Sequence, residues 1–437
     1  MARRTVGRRR ADHRTNRRRR LDIPRGHGHG HGHGHGHGGD HVVDTSVVNS
    51  DAIVARRVRI VVAAVLIPLL TAAVVAMIVM WPGGGVKVSS YQTDTARGEV
   101  TALKACPDPK DQCDEAAVNL KSGPDKGKVA PVQVPKAGQV PIPVEVGQSV
   151  MLGVQNNAKT IAERYQYVDH DRTKPLLLLA GIFAIAVVAL SRWRGFAALI
   201  ALAVTAVMLT QFILPAILKG SNPLVVAVVG GAVIMAIALF LTHGINAESS
   251  IALSGTIAAL GLTVVLGWFF TKFCQLSGLA SDGASAAKQF APDLNLTGLL
   301  VAGMVIGALG VLDDVTVTQS AAVWELSAAN PAASRRELLG AGLRIGRTHV
   351  ASVVNTLVLA YAGAALPVLI IFAIQGLPGS YVISTETVAM EVVRGLVGSL
   401  GIIAAVPLTT ALAAMAVADR SRELVSAEPE HIHARAN

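Results

Sequence analysis

The chain has 437 residues, of which 51% are hydrophobic, 16% charged and 4% aromatic, and its mean hydropathy is +0.49. This composition excludes a soluble globular protein, and it also excludes the disordered, collagen-like and disulfide-rich classes. The net charge of +10 resides almost entirely in the first 25 residues, which hold eleven Arg and two Asp. Several apolar runs of about 16 to 27 residues indicate a membrane protein with multiple spans.

A block of arginines fills the start of the chain. The 28 basic and 27 acidic residues that follow Arg25 nearly balance, so the basicity is confined to a tail. Such a block is typical of a disordered segment on the cytoplasmic side, where it attracts anionic lipid head groups. A nucleic-acid-binding arm is the alternative. The arginines are accompanied neither by a folded nucleic-acid-binding domain nor by interleaved aromatic residues, so we expect no nucleic-acid partner.

A glycine–histidine repeat follows within the same predicted disordered tail, residues 1–58. Neutral imidazoles are good ligands for Zn, Ni or Cu, and the intervening glycines let the backbone wrap around one ion. Weak binding of a divalent metal is therefore expected, while an incidental repeat expansion and a cytoplasmic metal buffer or sensor both stay open. The six alternating histidines are His27, His29, His31, His33, His35 and His37.

The first apolar run, Ile60–Trp81, predicts a membrane anchor over residues 59–82. It begins far from the start of the chain and lacks the small-x-small cleavage site of a secretory signal, so we interpret it as a signal anchor that is retained. Arg56, Arg57 and Arg59 precede the run. The positive-inside rule therefore predicts that the chain enters the membrane from the cytoplasm and emerges outside.

Residues 83–174 differ in composition from the runs on either side. Short alternating segments, punctuated by Gly and Pro, predict a small β domain outside the membrane, with a five-stranded OB-like barrel as the expected form. Cys106 and Cys113 bracket six residues, so a disulfide that closes this short loop is expected in an oxidising compartment. A metal site at these cysteines is less favoured, because no histidine lies nearby in the sequence.

Seven further apolar runs follow within residues 175–418. The predicted fold class is thus an α-helical membrane bundle of about eight transmembrane helices, with the β domain between the first and second spans. An even number of spans places both termini, including the tail of residues 419–437, in the cytoplasm, and the arginines between the spans mostly agree. The seven runs are Pro175–Leu190, Gly195–Leu218, Pro223–Thr242, Ile251–Phe270, Leu296–Leu312, Val350–Ile374 and Val392–Ala418.

A glycine-rich apolar run that ends in two acids is the most informative stretch of the chain. Gly303, Gly307 and Gly310 remove side chains from one helix face and predict the close approach of a neighbouring helix. Asp313 and Asp314 follow at the end of the run. Paired carboxylates are costly there and by default mark an ion or proton path.

Two interpretations of this acidic pair stay open, and catalysis is a weaker third. If the helix continues, Asp314, Thr318 and Glu325 share one face and offer a ladder of oxygen ligands. If the helix ends before the acids, Thr316 and Gln319 fit a capping box, in which acids stabilise the start of the next helix and no ion is needed.

A polar side runs along the start of the next long predicted helix. Arg347 opens it on an otherwise apolar segment. Thr348, Ser352 and Asn355 fall at i, i+4 and i+7, and His349, Ser352 and Thr356 fall at i, i+3 and i+7. Such a side must face protein or a wet cavity, and the two acids are its natural partners. Pairing of Arg347 with the acids would favour a static network over a cation site. Upstream, Ser334–Glu337 fits a capping box that opens a short basic segment along the inner surface.

Two stretches carry a resemblance to a known family. Gly307–Leu326 and Ile345–Tyr361 resemble the YibE/F family of bacterial multi-pass membrane proteins, and the similarity covers roughly Tyr91 to Ala418. The resemblance implies a multi-pass fold in the plasma membrane of a bacterium. It implies no particular activity, since the family has none that is settled.

The residues favour a secondary transporter or channel-like permease of unknown substrate, because carboxylates in spans interrupted by Gly and Pro are its expected parts. The alternative is a membrane scaffold or envelope-interaction protein that acts through the β domain. The chain contains no Gly-x-Ser-x-Gly elbow, phosphate loop or His-Glu-x-x-His motif, so we expect neither an enzyme nor a cofactor. The expected partners are the bilayer and anionic lipids, and a homo-oligomer stays open.

Overall fold

A computed structural model of the chain describes residues 45–83, 94–106, 113–136, 138, 141–280 and 282–417. The arginine block, the Gly-His repeat and the predicted C-terminal tail lie outside these residues, and so do the predictions of lipid and metal binding made for them. The end of the predicted disordered tail is described, and it is helical, because helix α1 already begins at Thr45. No Gly or Pro separates Thr45 from the apolar run, so nothing in the sequence stops the helix there.

Most of the described chain is helical. Short helices connect the long ones, and a π-helical turn, Leu209–Ile213, lies between two of them. The helices are α1 (Thr45–Val79), α2 (Ile161–Arg164), α3 (Thr173–Met208), α4 (Leu214–Leu218), α5 (Pro223–His243), α6 (Ala247–Phe273), α7 (Asp282–Phe290), α8 (Leu296–Ala329), α9 (Arg335–Ile374), α10 (Gly379–Ser384) and α11 (Glu386–Val417).

The chain is a membrane protein. Within the described ranges, seven helical segments are long and apolar enough to cross a bilayer, judged by length and composition. The prediction of eight spans is not confirmed. The second and third predicted spans fall within one apolar run, Thr173–Leu218, in which Arg192 is not helical. Arg192 and Arg194 lie between the two predicted spans.

The run Thr173–Leu218 is nevertheless not straight. Arg192 leaves the helical region with φ 51° and ψ −123°, a left-handed φ that side chains rarely adopt. A Cβ atom at Gly195 would lie 2.5 Å from the carbonyl oxygen of Val187, although residues eight apart in a straight helix are separated by about 12 Å. The chain therefore folds back sharply at Arg192, and glycine is the residue that permits this approach.

A five-stranded antiparallel sheet lies between α1 and α3 in the chain. Its strand order is β3-β2-β1-β4-β5, and the two edge strands contact each other, so the sheet curls. The predicted small β domain is therefore present, whereas its OB-like form stays a prediction. The strands are β1 (Asp94–Ala105), β2 (Cys113–Leu120), β3 (Val129–Pro135), β4 (Ser149–Val154) and β5 (Tyr165–His170).

A buried carboxylate ties the turn between β2 and β3 to the start of β5. Asp125 is only 7% exposed, and it accepts hydrogen bonds from Lys128 Nζ at 2.8 Å and Arg164 Nη1 at 2.6 Å. The hydroxyl of Tyr165 donates to the same carboxylate at 3.2 Å. Lys128 first and Arg164 second lower the pKa of Asp125 from its ordinary 3.8 to about 2, because both favour its charged form.

Helices α6, α8 and α11 form the centre of the bundle, and each packs against the other two. Their backbones approach closely where glycine faces threonine. A Cβ atom at Gly255 would collide with the side chain of Thr409, and one at Gly401 would collide with that of Thr263. Small residues of this kind allow helices to pack through backbone contacts where no hydrophobic effect drives them together.

The first helix is hydrogen-bonded to the last at the end of the bundle away from the sheet. The guanidinium of Arg59 donates to the carbonyl oxygen of Ala416 at 3.0 Å. Ala416 lies in the last turn of α11, where carbonyl groups lack helical partners and carry partial negative charge. Val62 packs into the same cluster as Leu338 and Ala413, so α1 contacts the bundle at this end.

We expect the Asp125 contacts to make the sheet sensitive to acid. The pKa of Asp125 is lower in the folded state, so its contribution to stability is complete above the ordinary value of 3.8 and is lost as the pH falls toward about 2. The protection of residues 113–136 against hydrogen exchange in the full-length protein, measured relative to the intrinsic exchange rate at each pH, should therefore fall across this interval. Asp125→Asn should already exchange faster at neutral pH and lose this pH dependence. Glu99→Gln, which removes an exposed ion pair with Lys121, is the control, and equal effects of the two variants would contradict the assignment.

We expect Gly255→Val to destabilise the bundle. The added side chain meets Thr409, and overpacking of this kind typically costs about 1–3 kcal/mol. Gly261→Val in the same helix is a matched control, because nothing lies within 4 Å of a Cβ atom there. Thermal unfolding of the detergent-solubilised variants measures the difference, and a Gly255 variant as stable as the Gly261 variant would refute the close contact.

Candidate functional site

The two acids lie in the middle of one continuous helix. Helix α8 runs without interruption from Leu296 to Ala329, so the helix continues past Leu312, the last residue of the predicted span. The alternative capping box at Thr316 and Gln319 is wrong, because no helix begins there. Asn330 is the C-cap of α8.

Helix α8 is longer than a bilayer requires. Its 34 residues extend about 51 Å, against a hydrocarbon thickness of about 30 Å. Asp313 lies seventeen residues after Leu296, or about 25 Å along the axis. If the hydrocarbon begins near the first turn of α8, the acids lie just inside its other boundary.

Asp313 and Asp314 have different surroundings. Asp313 is half-buried, and its Oδ1 atom is buried without a hydrogen-bond partner among the residues that the structure describes. Asp314 is exposed on the surface of the chain. A buried carboxylate oxygen without a donor is costly. Binding of a proton or a cation at Asp313 would relieve that cost.

Hydroxyl and amide groups are buried on the turns of α8 that follow Asp313. Thr256 on α6 and Thr316 on α8 share a hydrogen bond of 2.6 Å between their hydroxyl oxygens. One turn further along α8, Gln319 Nε2 donates to the carbonyl oxygen of Gly342 and to Thr410 Oγ1, both at 2.8 Å. The amide thereby joins α8 to α9 and α11. We call Thr256, Thr316, Gln319 and Thr410 the polar core.

The predicted glycine packing face does not contact a neighbouring helix along its length. A Cβ atom at Gly303 or Gly310 would meet nothing within 4 Å, whereas one at Gly307 would lie 3.1 Å from the hydroxyl of Tyr361. The prediction is therefore wrong within this chain for two of the three glycines. Helix α8 instead presents its buried face, which includes Leu312 and Thr316, to the other helices.

The predicted ladder of oxygen ligands lies on the same outward side of α8. Asp314, Thr318 and Glu325 are all exposed. Thr318 donates to the carbonyl oxygen of Asp314 at 2.6 Å, which satisfies its hydroxyl within the helix. The three residues share a face as predicted, but they do not enclose a binding site within one copy of the chain.

The polar side of α9 is also mostly exposed. Arg347, Ser352 and Asn355 lie on the surface, and His349 is half-buried. The expected pairing of Arg347 with the acids is not formed, because no ion pair between described residues joins them. The prediction that this side faces protein or a cavity is therefore wrong within the single chain.

The basic segment before the polar side is not a separate surface helix. The capping box at Ser334 and Glu337 is confirmed, with both reciprocal hydrogen bonds present. Helix α9 then continues unbroken to Ile374. Its 40 residues extend about 60 Å, so the basic residues lie on the first turns of a long helix.

Sequence reasoning missed a charged cluster between α9 and α11. Arg394 Nη1 lies 3.0 Å from Glu391 Oε1, and its guanidinium lies 5.8 Å from the ring centroid of Tyr361. Glu391 and Tyr361 line a cavity of about 210 Å³ with apolar neighbours such as Leu396. The i, i+3 spacing of acid and base at the start of an apolar run was the signal that could have revealed it.

Two further sites were predicted, the disulfide and the Gly-His repeat. Cys106 and Cys113 are joined by a disulfide, with their Cα atoms 5.7 Å apart. The Gly-His repeat lies outside the described residues. In the part of the chain that is described, no group of three or more His, Cys, Asp or Glu side chains could hold a metal ion.

Comparison with known proteins identifies one family. The family model described as YibE/F-like protein matches residues 179–419. This range includes the acids, the polar core and the charged cluster, and it excludes α1 and the sheet. No curated protein and no solved structure matches the chain.

We expect Gln319→Leu to destabilise the bundle by about 0.5–1.5 kcal/mol for each hydrogen bond lost, because it removes the donor that joins α8 to Gly342 and Thr410. Thr318→Val is the control, since the hydroxyl of that exposed neighbour bonds within its own helix. Denaturant or thermal unfolding in detergent gives the comparison. Equal stability of the two variants would show that the amide does not join the helices.

Proposed function

We propose that this chain, which belongs to the YibE/F-like family, is a membrane transport protein in which Asp313 binds a proton or a small cation during each cycle. The family model covers more than half of the chain. The observation that supports the proposal is the half-buried carboxylate of Asp313, whose Oδ1 atom has no hydrogen-bond partner among described residues.

The free energy needed to place the ionised carboxylate of Asp313 inside the membrane supports its proposed role in binding a proton or a cation. An ionised Asp inside the hydrocarbon is costly, by about 2.5–3.5 kcal/mol on insertion scales when it lies at the bilayer centre, and Asp314 next to it adds a second acid. Neither acid caps a helix, because both lie inside α8. The helix-capping interpretation, in which the acids need no ion, therefore does not apply. Binding of an exchangeable proton or cation would offset the charge of Asp313.

Interruptions in the surrounding helices also support transport. Pro68, Pro367 and Pro407 lie inside α1, α9 and α11, and a π-helical turn follows α3. Each interruption removes or shifts backbone hydrogen bonds and creates a point at which a helix can bend. Membrane helices tolerate such breaks where neighbouring groups satisfy the freed backbone.

The other functional expectations stay predictions. No described contact favours the scaffold alternative over transport. That the chain is not an enzyme, that it forms a homo-oligomer and that both termini are cytoplasmic are likewise not decided by its geometry.

We expect Asp313→Asn to abolish ion flux. The protein is reconstituted into liposomes, and separate gradients of H⁺, Na⁺ and K⁺ are imposed while internal pH or ion content is followed. The native protein should dissipate at least one gradient faster than empty liposomes, and the variant should not, because an amide cannot exchange a proton or neutralise a cation.

The matched control is Glu325→Gln, which removes an exposed carboxylate from the same helix. It should transport like the native protein. Size-exclusion profiles and melting temperatures establish that both variants are folded. Native flux in a folded Asp313→Asn variant would refute the proposal.

A further inference from the structure

A cleft of about 580 Å³ opens where α5, α6 and α8 meet, at the end of the bundle near the sheet. The cleft is distant from Asp313 and from the polar core. Its lining residue Asn295 immediately precedes α8, whereas Asp313 lies about 25 Å along that helix and Thr316 lies further. The volume is within the range of small-molecule sites, about 300–1,000 Å³. Its polar lining consists of Asn222, Thr271, Lys272, Gln275, Asn295 and Thr297.

Two long helices begin at this cleft. Asn222 caps α5, and its side-chain oxygen accepts from the backbone N–H of Leu224 at 3.0 Å. Asn295 caps α8 in the same way, through the N–H of Gly298 at 2.9 Å. Because the carboxamide oxygens are engaged as caps, the amide NH₂ groups remain as donors. Both helix N-termini add partial positive charge.

An unsatisfied hydroxyl belongs to the same lining. Thr271 is 1% exposed, and its Oγ1 atom has no hydrogen-bond partner in the described structure. Two other buried threonines of α6 behave differently, since Thr256 and Thr263 donate to carbonyl oxygens four residues back. Buried polar groups are nearly always paired, so an orphaned hydroxyl that lines a cleft indicates a missing partner.

The charge of the cleft is positive. Lys272 supplies an ammonium group 5.9 Å from the ring centroid of Trp268, and no carboxylate occurs among the described residues that line the space. The carboxylate of Glu386 lies behind the neighbouring loop, where it accepts from the backbone N–H groups of Ser277 at 2.6 Å and Gly278 at 2.8 Å. The hydroxyl of Ser277 also donates to it. These three donors hold the Glu386 carboxylate against that loop.

We propose that this cleft binds the phosphate group of an organic anion. Lys272, Thr271 and Asn295 would surround the phosphate with donors, because a tetrahedral oxyanion accepts hydrogen bonds from several directions. Trp268 and Val301, which also line the cleft, would contact the carbon part of the ligand. The same chemistry is found in a soluble phosphate ester and in an anionic phospholipid head group. The proposal does not depend on the role of Asp313.

Direct binding to the full-length protein tests the site. The protein is placed in nanodiscs of phosphatidylcholine, and radiolabelled inorganic phosphate is the probe in equilibrium dialysis. Saturable binding is expected. Lys272→Gln should weaken it by at least about tenfold, since it removes a charge-assisted hydrogen bond. Thr271→Val should weaken it by about fivefold, since it replaces one neutral donor by a methyl group of similar shape.

The control is Lys174→Gln, which removes an exposed lysine at the start of α3 and should leave binding unchanged. Lys272 is also exposed, so Lys272→Gln keeps the test informative even if the buried Thr271→Val variant does not fold. Equal binding by native protein and Lys272→Gln, or a loss of the same size in Lys174→Gln, would overturn the proposal.

A second arm distinguishes the two sources of phosphate. Nanodiscs are prepared with phosphatidylglycerol, and native mass spectrometry detects lipid that stays bound. Retention by the native protein but not by Lys272→Gln, with loss of inorganic phosphate binding, assigns the cleft to a lipid head group. Undiminished phosphate binding in these nanodiscs assigns it to a soluble ligand. Absence of both phosphate and lipid binding by the native protein would refute the site.

Discussion

Hydrocarbon forms no hydrogen bonds, and this constraint determines how the bundle holds its polar groups. The buried hydroxyls of Thr256 and Thr263 donate hydrogen bonds to carbonyl oxygens of their own helix, α6. Where an amide is buried, as at Gln319, it donates to a backbone carbonyl and to a threonine of another helix. The polar core is therefore a set of satisfied contacts that joins α6, α8, α9 and α11. Among the described residues, the buried Oδ1 atom of Asp313 has no such partner, and unlike the unpaired hydroxyls of Thr271 and Thr409 it belongs to an acid that can bind a proton or a cation.

Close packing follows from the same constraint. Water does not drive helices together inside a membrane, so backbone contact and small side chains must hold them. Gly255 against Thr409 and Gly401 against Thr263 bring α6 and α11 together, and Gly342 lets α9 approach Gln319 closely enough to accept its hydrogen bond. The position of Asp313 is thus set by uncharged contacts that other residues of α8 make with neighbouring helices.

Features that depend on neighbouring residues could be predicted from the sequence. Apolar length identified the helices, alternation identified the sheet, and Ser334 with Glu337 identified the start of α9. The faces of the helices could not be predicted, because they depend on partners distant in the chain. Gly303 and Gly310 have the spacing of a packing face, but a Cβ atom at either would meet no neighbour. Gly255 and Gly401 belong to no predicted packing face and are in tight contact. Thr316 and Gln319 satisfy a capping pattern equally well inside a helix, so local spacing could not decide whether α8 continued.

The length of α8 has a consequence for how the two ends of the bundle communicate. Its first turn borders the cleft at Asn295, its middle carries Asp313, and its last turns extend to Ala329 without a proline or a break. An unbroken helix moves as a rod, so any tilt or axial shift imposed at the cleft also displaces the carboxylate. Occupancy of one position and protonation of the other would then be thermodynamically linked, each changing the affinity at the other by the same factor.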